Sequence, residues 1–512
     1  MPSSDGVPGA EGPRFDLPEW IRAVVNLDPE APALEFEGTW RSWRLLSSAL
    51  VALDDELDGD GLGAGTMVGV VVRNRPEIVR AMVAVLGTGR CLVTLSSVIP
   101  TAALAAEVRS LALPVIVAGA DDWTDELRAA AGAAESLGLV IGDDESGLRR
   151  EVSPGRRHGA GRPQRPGVAV QMLTSGTTGP PKRVDLLYRS IEHEIAGTRH
   201  YSSTSTHGAP RLGTGVAILW SPLLHASGLR GLITNVVDGR RMALLERFDV
   251  TSWAALVQEH RPRAVSLVPS ALRMVLDAKV PREALASVEA VVSGTAPLAP
   301  ETAEEFEATY GIPVLVVYGA TEFAGGVAGW TIRDWRDFHE TKRGSVGRVN
   351  PGVQVRVVDQ ETDRVVTDGS VGLLELKGAQ LASEEWVRTT DLGRIDEDGF
   401  IWIVGRADDV IIRGGFKVPT GAVADVLRAH PDVVEACVVG RPDARLGQVP
   451  VAAVEVRSGA PLTAEELRSW ASERLSGYQV PVEVRIVDQL PRTPSMKVSQ
   501  HGVHAILDTP TG

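Results

Sequence analysis

Short apolar runs alternate with longer amphipathic stretches along most of the 512-residue chain. The first clear unit is Val68-Gly69-Val70-Val71-Val72, then Pro76 to Leu86, then Cys91-Leu92-Val93-Thr94-Leu95, which reads strand, helix, strand. Pro76 suits the first turn of that helix, where a missing N–H costs nothing. Ahead of it lie an extended Ala33-Leu34-Glu35-Phe36 and a helix from Trp43 to Leu57. Beyond it the pattern predicts a helix over 102–111, a strand at Pro114-Val115-Ile116-Val117 and a helix over 123–131. Residues 150–167 are basic and rich in Pro and Gly, which predicts a loop.

Alternation resumes with Val168-Ala169-Val170-Gln171-Met172. Strands are expected at Val216–Leu219, Met242–Leu245, Ala264–Val268, Val288–Val292 and Val314–Val317, separated by helices near 227–236, 251–260, 270–278 and 300–309. Continuous apolar strands between amphipathic helices imply an α/β fold, a mostly parallel sheet with helices on both faces. In such sheets ligands sit beyond the carboxyl ends of the strands. From about Gly344 the texture changes to short alternating strands, such as Val353–Val357 and Gly372–Leu376, a small β subdomain. After Arg406 comes an α+β unit, with strands near 408–412, 433–439, 449–456 and 482–487 and helices near 421–429 and 463–475. The expected organisation is a flexible start at 1–14, a large domain at 15–405 and a small one at 406–512.

Composition narrows the function classes. A net charge of −14 argues against non-specific binding to nucleic acid or anionic membrane. Cys91 and Cys437, both in apolar runs, are too few for a disulfide framework and suit a reducing compartment. The first residues lack a basic-then-apolar signal pattern, and no apolar run approaches the roughly 20 residues of a membrane span. A cytoplasmic location is expected. Lysine occurs only at positions 182, 279, 342, 377, 417 and 497, while arginine supplies the other fixed positive charge. Two of those lysines stand inside dense motifs, and a compact charge on a flexible stem suits transient contact with phosphate.

The densest motif is Leu173-Thr174-Ser175-Gly176-Thr177-Thr178-Gly179-Pro180-Pro181-Lys182. Glycines let backbone N–H groups turn toward one point, the hydroxyls add neutral donors, and Lys182 adds charge. A Walker loop needs Gly before and Ser or Thr after the lysine; Pro181 and Arg183 stand there instead. Four further stretches carry candidate chemistry. Tyr318-Gly319-Ala320-Thr321-Glu322 offers an aromatic face, a hydroxyl and a carboxylate fit for Mg²⁺. Ser293-Gly294-Thr295-Ala296-Pro297 reads alone as a strand-to-helix turn, Thr390-Asp391 precedes Gly405-Arg406-Ala407-Asp408, and Lys497 closes Leu490-Pro491-Arg492-Thr493-Pro494-Ser495-Met496.

Taken together, these stretches resemble the adenylate-forming superfamily: acyl-CoA synthetases, peptide-synthetase adenylation domains and firefly luciferase. The resemblance implies an ATP-dependent ligase, with Mg²⁺ at Glu322. Thr174 to Gly179 and Lys182 would hold phosphate. Ser293, Gly294 and Thr295 would face adenine and the acyl group, Tyr318 and Gly319 would face adenine, and Thr321 would contact phosphate. Asp391 and Arg406 would hold ribose, and Asp408 would be the hinge of a mobile small domain. Lys497 would act on the α-phosphate and the substrate carboxylate. Gly414 and Gly415 would line the pantetheine channel of CoA, the expected thiol acceptor. His225, in Ser221-Pro222-Leu223-Leu224-His225, resembles the acyl-pocket residue of acyl- and aryl-CoA synthetases. No acid occurs from Leu219 to Arg230, so an α-amino acid substrate is not expected, and an uncharged acyl or aryl acid is.

The sequence also departs from the family pattern. Thr390 and Met496 stand where glycine is usual, Gln500 where arginine is usual, and Ala422 and Ala424 where paired glutamates are usual. These keep three rivals open: loading of a carrier-protein pantetheine arm, amide formation in secondary metabolism, and a nucleotide-binding pseudoenzyme.

Overall fold

The computed structural model describes residues 15–154, 163–174, 182–198, 209–381, 383, 385–407, 409–414, 416–457, 459–493 and 496–509. Its first sheet has seven strands, in the order Arg149–Val152, Leu137–Val140, Val115–Ala118, Met67–Val72, Cys91–Ser96, Val168–Thr174 and Lys182–Leu187. The five inner strands are parallel; both edge strands run antiparallel to their neighbours. Every residue of Met67–Val72 and Cys91–Ser96 is buried, as strands covered on both faces require. Helix Pro76–Gly87 is buried at every position but Glu77 and has its proline at the start.

Two more sheets complete the α/β part, in keeping with the expected mostly parallel sheets flanked by helices. One has four strands, Val216–Leu219, Arg241–Leu244, Pro32–Phe36 and Thr39–Ser42. The other has five, Ala264–Ser266, Ala290–Ser293, Val314–Ala320, Gly325–Gly329 and Arg348–Val349. Strand periodicity reports burial, not which strand lies alongside, so division among sheets is decided by packing. The β subdomain is a five-stranded antiparallel sheet ending in Val387–Ile395 and Ile401–Arg406. The small domain follows, with Val410–Arg413, Phe416–Pro419, Val433–Asp443, Gly447–Val456 and Glu483–Val487 in one sheet. Helices Thr420–Arg428 and Ala464–Ser472 pack on it; Thr463 and Glu466 form a reciprocal capping box at the start of the second.

Several elements differ from the sequence expectation. Residues 149–152 form an edge strand, because Arg149–Val152 borrows its pairing from Leu137–Val140. The helix expected over 123–131 is Asp125–Ala133; Thr124 caps it by accepting from the N–H of Leu127. Helix Gln500–Asp508 was not apparent from the pattern, since only Val503 and Leu507 are buried in it. The residues on either side of the hydroxyl-rich motif are two antiparallel strands, paired to Thr174 opposite Lys182. The chain re-enters the described structure at Lys182 as a strand, with no helix opening there.

Candidate functional site

Tyr318, Asp391 and Arg406, which the motifs assign to nucleotide, come from three strands. Tyr318 lies near the end of Val314–Ala320, and its hydroxyl donates to Asp391 Oδ2 at 2.5 Å. Burial, and then the negative charge of Asp391, push that phenol above its ordinary pKa, so it remains a donor at neutral pH. Asp391 is paired across the sheet with Arg406, whose Nη1 is 3.7 Å from Asp391 Oδ1. Arg406 Nη2 donates to Thr390 Oγ1 at 2.5 Å. Thr390 thus contributes a hydroxyl that holds Arg406, which a glycine would not. Tyr318, Asp391 and Arg406 form one cluster.

Gly319 has a steric reason for being glycine: a Cβ there would fall 2.1 Å from the Gly325 carbonyl. The paired strand Gly325–Gly329 therefore approaches closely, and a one-turn 3₁₀ segment, Thr321–Phe323, closes the connection. This turn carries Thr321 and Glu322. The Ser293-Gly294-Thr295 turn passes over the same strand: a Cβ on Gly294 would fall 3.0 Å from the Val317 carbonyl, and Thr295 stands at φ 71°. Ser293 is buried, and its Oγ has no hydrogen-bond partner among the described residues.

Lys497, in the small domain, interacts electrostatically with Glu322 of the 3₁₀ turn. Burial holds its ammonium below the ordinary lysine pKa; Glu322 opposes that shift and Arg406 adds to it. His225 is held down to about 4, chiefly by burial and then by the charge of Lys497. Its Nε2 is buried without a hydrogen-bond partner among the described residues. Lys497, Glu322, Arg406 and His225, from four distant stretches of sequence, therefore share one electrostatic site.

The His225 shift has a stability consequence. Its folded pKa of about 4 lies below the ordinary 6.5, so the unfolded chain binds the extra proton more readily. The contribution is complete above pH 6.5 and is lost as pH falls from there through about 4. Its ceiling is about 3 kcal/mol. Denaturant unfolding of wild type and His225→Gln across that range should show a steeper acid loss in wild type. Parallel curves would reject the buried neutral imidazole.

Other assigned residues are distributed as follows. Ser175, Gly176, Thr177, Thr178 and Gly179 lie outside the described residues, as do Asp408 and Gly415. Thr174 and Lys182 are backbone partners at the ends of two antiparallel strands. Gly414 stands at φ 58° and its N–H donates to the Leu446 carbonyl at 2.8 Å. Ala424, where the family pattern has an acid, is buried against Val423 and Leu427 in the small-domain core. A carboxylate there would be desolvated.

Two positioning groups carried no sequence signal. Asn74 is buried, and its side-chain amide donates to the carbonyls of Trp220, Ser221 and Leu245 at 3.1–3.2 Å. Its Oδ1 accepts from the Leu223 N–H at 2.8 Å, so it fixes the segment that delivers His225. Glu194, also buried, accepts from Arg230 Nε at 2.5 Å and packs against Gly325. It ties helix Ala226–Val237, which follows His225, to the strand after Glu322.

The carboxylate of Glu322 and hydroxyl of Thr321 are hard oxygen donors that fit Mg²⁺, which completes its shell with water and phosphate. Among the described residues, the converging trio of potential ligands is elsewhere, at Glu35, Glu259 and His260. No such group of three converges on Glu322 among the described residues.

The model of the AMP-binding enzyme family matches residues 21–384, and that of the AMP-binding enzyme C-terminal domain matches residues 422–497. The chain belongs to the AMP-binding enzyme family. It is an AMP-forming acid–thiol ligase. A 2-succinylbenzoate–CoA ligase of Bacillus cereus is 28% identical over 512 residues, covering 96% of this enzyme and 99% of the relative. The 4-coumarate–CoA ligase-like 5 protein of Oryza sativa subsp. japonica is 30% identical over 374 residues, covering 70% of this enzyme and 66% of the relative. Among solved structures, ATP-bound MatB from Rhodopseudomonas palustris superposes with a TM-score of 0.80 at 24% identity, covering 96% of this enzyme and 99% of that chain. The o-succinylbenzoate CoA synthetase of Bacillus subtilis with its acyl-adenylate gives 0.75 at 23% identity, covering 97% and 99%. Both share the α/β fold with its large N-terminal and small C-terminal domains. Among the described residues no helix is long and apolar enough to cross a membrane.

Proposed function

We propose that the enzyme activates a carboxylic acid without an α-amino group as its acyl-AMP and passes the acyl group to CoA. The observation that carries this reading is Lys497 of the small domain within electrostatic range of Glu322, Arg406 and His225. In the first step a carboxylate oxygen of the acid bonds to the α-phosphorus of ATP, and the bond to pyrophosphate breaks. Lys497 offsets the negative charge that spreads over the reacting oxygens, a preorganised electrostatic contribution. Tyr318, Asp391 and Arg406 orient the nucleoside. Mg²⁺, held by Glu322 with Thr321 nearby, would supply charge neutralisation on the phosphates. In the second step the CoA sulfur bonds to the acyl carbonyl carbon, AMP leaves, and the thiol proton passes to solvent. Gly414 and Gly415 would line the pantetheine path, with Asp408 as the pivot.

Neutral His225 at the start of helix Ala226–Val237 supports an acyl or aryl group over an ammonium-bearing one, since no acid stands in its run. Incubation of an acid library with ATP and CoA, read by mass spectrometry with a parallel hydroxylamine trap, tests the proposal. The expected products are one acyl-CoA and AMP. Hydroxamate without acyl-CoA would move the acceptor to a carrier protein or an amine. Fastest turnover with an α-amino acid would reject the substrate class, and no carboxylate-dependent pyrophosphate exchange would indicate a pseudoenzyme.

A further inference from the structure

Met496 occupies the left-handed backbone region that favours glycine. It stands at φ 67°, where a Cβ crowds the following carbonyl and where glycine would fit freely. The turn is closed by the Met496 N–H donating to the Thr493 carbonyl at 2.8 Å and the Thr493 N–H donating to the Lys497 carbonyl at 2.7 Å. In exchange for that strain, the thioether side chain packs on a core cluster of the large domain that includes Trp220, Val268 and Leu272. The main chain of the same residue also bridges the domains. Its carbonyl accepts from Ser270 Oγ of the large domain at 3.3 Å and from Arg492 Nη1 of the small domain at 3.3 Å. Arg492 is in turn anchored 3.4 Å from Glu455 Oε2 on strand Gly447–Val456.

We propose that Met496 is a positioning residue, an apolar latch that docks the Lys497 turn on the large domain and favours the arrangement with Lys497 in the site. The inference rests on the role given to Lys497 above. Its contacts exist only while the small domain is seated this way; turning that domain away exposes the thioether and breaks the Ser270 bond. Met496 therefore trades speed in thiol transfer for occupancy of the adenylating state. A glycine there relieves the backbone and releases the latch together.

The test compares Met496→Gly, Met496→Leu and Lys497→Ala in two single-turnover assays, acyl-AMP formation and transfer from supplied acyl-AMP to CoA. Spin labels on Val98→Cys and Ile412→Cys, both exposed in the parent protein, report domain orientation. Met496→Gly is expected to slow adenylation about tenfold, to speed transfer, and to broaden the label distance distribution. Met496→Leu, which keeps apolar bulk, should stay near wild type in all three. The ratio of the two half-reactions is the deciding quantity, because a smaller folded fraction lowers both together. An unchanged ratio and distance distribution in Met496→Gly, or an equal change in Met496→Leu, would overturn the latch. If Lys497→Ala keeps full adenylation, the underlying reading of the site fails instead, and the two failures are separately visible.

Discussion

Lys497→Ala loses acyl-AMP formation by ~10²–10³-fold, the usual effect of removing one preorganised charge contact from a transition state. Transfer from supplied acyl-AMP is expected to persist. The lysine is a partly desolvated ammonium facing Glu322, with Arg406 and His225 close enough to perturb or be perturbed by it. A partly desolvated charge of this kind acts more strongly on nearby developing negative charge than one in bulk water. Once the acyl-phosphate bond exists, its contribution is complete, so the second half-reaction does not depend on it. Rapid-quench measurement of each half-reaction on the folded variant separates the outcomes. Equal loss in both would make Lys497 a structural residue of its turn.

The second large effect is expected at Asp391. This carboxylate accepts from the Tyr318 hydroxyl at 2.5 Å and faces Arg406 Nη1 at 3.7 Å, so one side chain joins the two strands that carry them. Asp391→Ala leaves a half-buried phenol without this acceptor and a guanidinium without this counter-charge. Stranding a buried polar partner costs about 1–3 kcal/mol. Expressed as nucleotide recognition, that is a fall of roughly ten- to hundredfold in kcat/KM for ATP. Asp391→Asn keeps an acceptor oxygen and should recover part of the loss. Steady-state kinetics with ATP varied at saturating acid measures it. An unchanged KM for ATP, with only a lower melting temperature, would reduce the cluster to a strand tie.

Much of the architecture was legible because burial leaves a local period. The fully apolar runs Val68–Val72 and Cys91–Leu95 became inner parallel strands, and Pro76 marked a helix start. Elements held by few buried residues left a fainter period, as in Gln500–Asp508. The motif residues Tyr318, Asp391 and Arg406 were legible as chemistry, and the fold brings them into one cluster.

The family departures divide by location. Ala424 follows from core packing in the small domain, a demand set by residues on other elements. Thr390 follows from the position of Arg406 across the sheet, and Met496 from a surface of the large domain more than two hundred residues away in the chain. Neither could be weighed from neighbours in sequence, because the compensating contact lies on a different element.

The sequence by itself determined the family, the order of strands and helices, and which side chains bring donors, carboxylates and an ammonium. Only the tertiary structure decided that Lys497, Glu322, Arg406 and His225 share one site, and that Asn74 and Glu194 hold its walls. The physical reason is range. Periodicity and turn chemistry record what a residue needs within a few positions of chain, whereas desolvation and charge coupling depend on everything within a few ångströms of space.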